Sequence, residues 1–74
     1  MISPIVADLR RIRLERKLSQ ISIATILDST TRTISYYESG QRTPSITFVE
    51  LWADALGYEL DLHIKAKKNP RHQK

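Results

Sequence analysis

Residues 20–39, QISIATILDSTTRTISYYES, decide how the rest of the chain is organised. The first part of this stretch predicts a short apolar helix, although its β-branched residues are mediocre helix formers. The second part, from Thr31 onward, predicts a helix that carries hydroxyl and guanidinium groups outward and has little apolar bulk. Asp28 and Ser29 predict a turn between the two, since Asp tolerates the left-handed backbone conformation. The inward positions are predicted to be Ile23, Ala24, Ile26, Leu27, Ile34 and Tyr37.

A polar helix that is held at an angle by an apolar one has the form that reads base edges in the major groove of DNA. We therefore predict base contacts from Thr31, Arg32 and Tyr36, with Thr33 near the DNA backbone. Arg32 is the strongest candidate, because one guanidinium can bind guanine O6 and N7 together. The alternative for Arg32 is phosphate binding alone, since most protein–DNA hydrogen bonds go to the backbone.

Backbone contacts are predicted at the two helix starts and in the loop that follows. Ser19 is expected to cap the helix that begins at Gln20, and Thr30 to cap the next helix, which Gly40 ends. Free amides at a helix N-terminus attract phosphate, so Ser19, Gln20 and Thr30 are predicted phosphate contacts as well as structural residues. Arg42 can reach a phosphate or the adjacent minor groove, and a solvated loop charge is the alternative.

The chain before this stretch predicts one more helix. Ser3 is a suitable cap and Pro4 suits the first helical position, while Lys17 ends the helix where Gly or Asn is more favourable. Helical spacing predicts that its buried residues are Val6, Leu9 and Ile12.

After the loop, Ser45 is predicted to cap a fourth helix that runs to about Leu56 and closes at Gly57. Apolar residues cover two of its faces. One face comprises Ile46, Val49, Ala53 and Leu56, and the other comprises Phe48, Leu51, Trp52 and Ala55. A domain this small uses one face for its core, so we expect the other to pack against the C-terminal segment or another subunit.

Residues 58–64, YELDLHI, alternate between apolar and polar, which is the pattern of a β-strand. The sequence offers no second strand, and a lone strand is unstable, so we predict pairing with the same segment of a second copy. A short fifth helix is the alternative. The predicted dimer interface comprises Phe48, Leu51, Trp52, Tyr58, Leu60, Leu62 and Ile64.

Charge divides the chain into three blocks. Residues 1–44 carry a net charge of +3, residues 45–64 carry −4, and residues 65–74 carry +5. Polyanion binding depends on local basic surface, so the first and last blocks can face DNA while the acidic block faces away. We predict one domain over residues 1–64, with its dimerisation segment at 45–64, followed by a basic, flexible tail at 65–74.

Several classes of function are excluded by what the sequence lacks. It has no cysteine, only two glycines and only two separated histidines, His63 and His72, so we expect no metal, no cofactor and no phosphate-binding glycine loop. No nucleophile is placed with the histidines, which argues against an enzyme. No apolar run approaches the roughly 20 residues that span a bilayer, and the N-terminus lacks signal-peptide order. We therefore expect a cytoplasmic protein that does not contact membranes.

Residues 9–57 are similar to the Cro/repressor (XRE-type) helix-turn-helix family. The similarity is carried by Leu18-Ser19-Gln20, Ala24, Ile34, Glu38-x-Gly40 and Pro44-Ser45. It implies an all-α, compact four-to-five-helix repressor-like DNA-binding domain, here followed by a short C-terminal β-strand paired across a dimer. It also implies a structural ion pair between Arg13 and Glu38. Departures from the family pattern are Asp28 in place of the usual glycine, Ser29 in place of an apolar residue, and Ile21 in place of a polar one.

The resemblance implies a sequence-specific transcriptional repressor that binds a palindromic double-stranded DNA operator as a homodimer. The strand pattern at 58–64 resembles antitoxins of the HipB type. The alternative function is therefore an antitoxin that binds a toxin protein and represses its own operon. A controller protein of a restriction system fits the same size.

Overall fold

The computed structural model describes residues 2–61, and this range contains four helices and no strand. The helices are α1 (Pro4–Glu15), α2 (Gln20–Ile26), α3 (Thr31–Ser39) and α4 (Ile46–Ala55). None of them is long and apolar enough to cross a bilayer. The all-α prediction is therefore confirmed over the part of the chain that the structure describes.

Each helix begins at a residue that the sequence predicts as a cap. In every case the hydroxyl oxygen accepts a hydrogen bond from the backbone amide three residues later, which satisfies one of the free donors of the first turn. The four caps are Ser3, Ser19, Thr30 and Ser45. Pro4 also occupies the first helical turn, as predicted.

A shared hydrogen-bond pattern closes the four helices. After each one, a residue adopts a left-handed backbone conformation, and the next amide donates to the carbonyl five residues earlier. The left-handed residues are Lys17 (φ 58°), Asp28 (φ 54°), Gly40 (φ 83°) and Gly57 (φ 82°). The corresponding bonds are Leu18 to Arg13, Ser29 to Ala24, Gln41 to Tyr36 and Tyr58 to Ala53, at 2.8–3.0 Å. Asp28 thus adopts the left-handed conformation at the turn position where the Cro/repressor family usually has glycine.

One core joins all four helices. Its buried apolar members are Val6, Leu9, Ile12, Ile23, Ala24, Ile34, Val49, Trp52, Ala53 and Leu56. Leu18, Leu27, Tyr37, Phe48 and Leu60 pack around this group while remaining partly exposed. Both α1 and α2 contact α3, so α3 is supported along its inner side by two helices.

One predicted inward position, Ile26, is wrong, and Ile46, from one of the two predicted apolar faces of α4, lies outside the core. Ile26 is 57% exposed and Ile46 is 63% exposed. Ile23, Ala24 and Leu27 form the inward arc of α2, and a helix that advances about 100° per residue carries Ile26 to one side of this arc. Ile46 opens α4 and lies at the margin of the core, where it lines a shallow apolar groove together with Ile5 and Leu60.

The division of α4 into two faces also needs correction, because Trp52 is fully buried in the core of a single chain. The inward side of α4 consists of Val49, Trp52, Ala53 and Leu56, at the spacing of one helical face. Trp52 therefore has no free surface for a dimer contact. Leu51 keeps an exposed side chain, with 53% of its surface accessible.

The C-terminal strand is not seen in the described range. Residues 58–61 form neither strand nor helix. Leu60 packs partly against the core and Tyr58 is 47% exposed. The remaining predictions for this end concern Leu62, His63, Ile64, His72 and the basic tail at 65–74, and they lie outside the described residues.

Candidate nucleic-acid interface

Helix α3 has an inner and an outer face of opposite character. On the inner face, Ile34 and Glu38 are buried and Tyr37 is half-buried. On the outer face, Thr31 and Arg32 are exposed, while Thr33, Ser35 and Tyr36 are half-buried. The predicted base-contacting residues Thr31, Arg32 and Tyr36 thus all retain access to solvent.

The inner face is tied to α1 by a buried ion pair between Arg13 and Glu38. Arg13 Nε and Nη2 donate to the two carboxylate oxygens of Glu38 at 2.7 and 2.8 Å, which is the bidentate geometry of strong arginine–carboxylate pairs. Only 6% of Arg13 and 4% of Glu38 is exposed. Arg13 Nη1 also donates to the carbonyl of Leu18 at 2.6 Å, so the pair fixes the chain between α1 and α2 as well.

Glu38 also contacts Gln20, at the start of α2, and Arg10, on the exposed side of α1. The Gln20 amide nitrogen donates to Glu38 Oε1 at 3.0 Å, and Arg10 Nε lies 3.7 Å from the same oxygen. A shallow depression of about 440 Å³ opens beside them, and Ser35 and Ser39 also line it. Gln20 is therefore held against α3 rather than projecting freely. The sequence predicts that Arg10 is a surface charge or a peripheral phosphate contact; its spacing of three residues from Arg13 indicates only that the two share a side of α1.

The outer face carries a cluster formed by Arg32, Tyr36 and Arg42. The guanidinium carbon of Arg32 lies over the Tyr36 ring, 5.8 Å from its centroid, and that of Arg42 lies 5.2 Å from it. Both distances are within the range of cation–π attraction. Within residues 2–61, neither guanidinium forms a hydrogen bond or an ion pair. Their N–H groups are therefore available to an external acceptor.

The hydroxyl groups at the helix starts are engaged locally. Thr30 Oγ1 accepts from the Thr33 amide at 3.1 Å and donates to Thr33 Oγ1 at 2.9 Å. Ser19 Oγ accepts from the Ser22 amide at 3.0 Å. Ser19 and Thr30 thus set the positions of the first turns of α2 and α3, and both residues are exposed to solvent.

Negative charge collects on the C-terminal side of the domain. Glu50, Asp54 and Glu59 line a second depression of about 560 Å³, to which α3 contributes no residue. The described residues contain no group of three acidic or histidine side chains that could bind a metal ion. The acidic surface and the arginine-bearing face of α3 are therefore separate, which favours approach of a polyanion on the α3 side.

Residues 9–63 match the protein-family model HTH_3, which is described as helix-turn-helix. The matched segment runs from α1 through α4 and covers more than half of the chain. No curated protein matches the sequence at a significant level.

Proposed function

Because the chain belongs to the helix-turn-helix family, we propose that it is a sequence-specific transcriptional repressor that binds a palindromic operator as a homodimer. The family itself supports a DNA-binding transcription regulator. The finer proposal depends on one observation at the outer face of α3: the Arg32 side chain is exposed, and its guanidinium has no hydrogen-bonding partner within residues 2–61. We propose no enzymatic activity.

Base reading is assigned to Thr31, Arg32 and Tyr36. Thr31 opens α3 and offers a hydroxyl to a base edge or its methyl group to thymine. Arg32 offers two parallel donors to guanine O6 and N7. Tyr36 lies one helical turn beyond Arg32 on the same face of α3, so the two side chains can reach the same groove, and Thr31 lies beside Arg32 in the first turn.

Backbone binding is assigned to residues around the two helix starts and the loop after α3. The N-termini of α2 and α3 carry free amides and the positive end of the helix dipole, which attract phosphate. Gln20 is oriented by its bond to Glu38 at 3.0 Å. Arg42 extends the basic surface past Gly40. The proposed backbone contacts are Ser19, Gln20, Thr30, Thr33 and Arg42.

The homodimer is assigned to the outer side of α4 and the segment that follows it. Leu51 and Tyr58 are the large exposed side chains there, at 53% and 47% exposure. Phe48 and Leu60 border them, and Leu62 and Ile64 continue the same segment outside the described range. Trp52 is omitted, since it is buried within one chain. A dimer of this kind presents two copies of α3 to successive major grooves, about 34 Å apart.

The base-reading role of Arg32 can be tested with a duplex that the wild-type protein selects from a random-sequence pool. Arg32→Ala should weaken binding to that duplex by about 5- to 150-fold, as expected for loss of one bidentate base contact, and should weaken binding to random DNA much less. Equal weakening of both would show that Arg32 binds only phosphate.

Arg11→Ala is the matched control, because it removes the same charge from the outer side of α1. The Arg11 guanidinium is engaged by Glu15 at 3.2 Å and Asp8 at 3.6 Å. The hydrogen bond and charge of Glu15, with a further contribution from Asp8, raise the pKa of Arg11 above its ordinary value. Arg11 stays charged at any working pH, and its removal should leave the preference for the selected duplex unchanged.

The dimer can be tested with Leu51→Asp in the full chain. Light scattering should show a dimer for the wild-type protein at micromolar concentration and a monomer for the variant, because a carboxylate in an apolar interface loses its hydration. Ile26→Asp is the control, since Ile26 is equally exposed, at 57%, but lies on α2. A wild-type monomer, or a dimer that tolerates Leu51→Asp, would refute this assignment.

An antitoxin that binds a toxin protein is a second candidate function, and exposed apolar residues favour it. Ile21, on α2, is 64% exposed and Ile46, on α4, is 63% exposed, beyond what the proposed DNA surface uses. The test is expression of the product of a neighbouring gene with and without this chain. Growth arrest that the wild-type chain relieves and that Ile21→Asp or Ile46→Asp no longer relieves would support an antitoxin. Harmless expression of the neighbour would exclude it.

A further inference from the structure

Tyr36 occupies an unusual position, because two arginines from different parts of the chain approach its ring. Arg32 reaches the ring from the preceding turn of α3, at 5.8 Å, and Arg42 reaches it from the loop after the helix, at 5.2 Å. The ring itself is half-buried. Within residues 2–61, it is therefore the one aromatic ring that contacts both guanidinium groups.

The backbone of Tyr36 anchors the same loop. Its carbonyl accepts from the amides of Gln41 at 2.9 Å and Arg42 at 3.3 Å, and from the Ser39 hydroxyl at 3.2 Å. The left-handed conformation of Gly40 returns the chain toward the helix so that these bonds can form. These hydrogen bonds fix the backbone of Arg42 relative to Tyr36, independently of the contact between the Arg42 side chain and the ring.

Contact with an aromatic ring suits an arginine that must later bind DNA. A cation–π contact occupies none of the five N–H donors of a guanidinium, and within residues 2–61 neither Arg32 nor Arg42 uses these donors in a hydrogen bond. The donors remain free for guanine or phosphate while the long side chain is confined. An arginine held in this way loses less rotamer freedom on binding than one that is extended in water.

We propose that Tyr36 is a positioning residue whose ring orients Arg32 toward a base edge and Arg42 toward a phosphate. This inference rests on the proposed DNA-binding function, and it replaces the direct base contact assigned to Tyr36 with an indirect role through the two arginines. The essential group is the ring, and the phenolic hydroxyl is dispensable. Tyr36 thereby couples sequence reading by α3 to backbone binding by the loop.

The first test compares Tyr36→Leu with Tyr36→Phe on the selected duplex and on random DNA. Tyr36→Leu should weaken binding to the selected duplex by about 5- to 30-fold, because the arginines then lose the confinement before binding that two exposed cation–π contacts can maintain. Tyr36→Phe should rescue binding to within about 3-fold of wild type, since phenylalanine keeps the ring face. Thermal unfolding of both variants verifies that each is folded at the assay temperature.

The second test removes both arginines. In the Arg32→Ala/Arg42→Ala background, adding Tyr36→Leu should change the residual DNA affinity less than about 2-fold, because the ring then has no cation to orient. An undiminished effect of Tyr36→Leu in that background would mean that the ring contacts DNA itself. Equal losses for Tyr36→Phe and Tyr36→Leu would mean that the hydroxyl is the contact. Either result overturns the positioning role.

A third measurement needs no DNA and separates this inference from the proposed function. In the free wild-type protein, the side-chain NMR signals of Arg32 and Arg42 should be shifted upfield by the ring, and Tyr36→Leu should abolish the shift at both residues while Tyr36→Phe keeps it. A wild-type protein without any preferred duplex would refute the proposed function. Absence of the upfield shifts would instead refute the positioning role, whatever the DNA binding.

Discussion

The two faces of α3 use arginine in opposite ways. On the inner face, Arg13 is buried, and its guanidinium donates two hydrogen bonds to Glu38 and one to the carbonyl of Leu18. On the outer face, Arg32 and Arg42 are exposed and are held by the Tyr36 ring. The arginine at the inner face thus has its hydrogen-bond acceptors within the protein. Within residues 2–61, the two arginines at the outer face have none and keep their N–H groups for a ligand.

This difference separates stability from recognition. A buried charge without its partner is costly, so the inner face should control the free energy of unfolding. An exposed arginine contributes little to folding but keeps its donors for a ligand. Substitutions on the inner face should therefore unfold the domain, and substitutions on the outer face should alter DNA binding in a folded domain.

Glu38→Ala is expected to have the largest effect, and it tests whether the inner face of α3 controls stability. It leaves Arg13 buried and uncompensated, so we expect the free energy of unfolding to fall by about 3–5 kcal/mol, a large part of the stability of a domain this small. The measurement is urea unfolding followed by the fluorescence of Trp52, the only tryptophan in the chain, which is fully buried.

Glu50→Ala is the control for that experiment, because it removes an exposed carboxylate from α4. Its unfolding midpoint should stay close to that of the wild-type protein. Similar midpoints for Glu38→Ala and Glu50→Ala would mean that the inner pair does not stabilise the domain, and the contrast between the two faces would then lose its basis.

Much of the inner face was predictable from the sequence. The caps Ser19 and Thr30 follow from local chemistry, because a hydroxyl before an apolar-periodic segment satisfies free amides. Ile34 follows from helical spacing. The Arg13–Glu38 pair joins residues 25 positions apart, and only the resemblance to the Cro/repressor family implied it. Nothing in the local pattern connects the two.

The errors lie where helices meet or end. Periodicity assigns faces to α4 but does not say which face the neighbours cover, so it predicts Trp52 as a core or an interface residue, and the structure shows it in the core. Ile26 is exposed because it lies to one side of the inward arc of α2, and Ile46 is exposed because it opens α4 at the margin of the core. The contact between Arg42 and Tyr36 crosses the turn at Gly40, where helical spacing no longer predicts neighbours.

Thr30 is expected to affect both stability and DNA binding, because it caps α3 at the end that is proposed to face DNA. Thr30→Ala removes the acceptor for the Thr33 amide and should lower the free energy of unfolding by about 1 kcal/mol. Thr30→Ser keeps the hydroxyl and should retain most of that stability. If Thr30 also contacts phosphate, Thr30→Ala should weaken selected and random duplexes alike under conditions where the variant is fully folded. Unchanged DNA binding would restrict Thr30 to its role as a cap.

Arg42→Ala is expected to have the smallest effect on stability, and it tests whether the outer face acts in DNA binding alone. Arg42 is exposed and its guanidinium contacts only the Tyr36 ring within residues 2–61, so the unfolding midpoint should not move measurably. If Arg42 binds a phosphate, the variant should weaken selected and random duplexes by the same factor, and the slope of log affinity against log salt should become shallower by about 1. Arg42→Lys should restore the slope, because the slope counts charge, but it should restore affinity only in part, because a lysine ammonium is not a planar group that can stack on the ring. A loss confined to the selected duplex would instead assign Arg42 to the minor groove, and the outer face would then read sequence on both sides of Gly40.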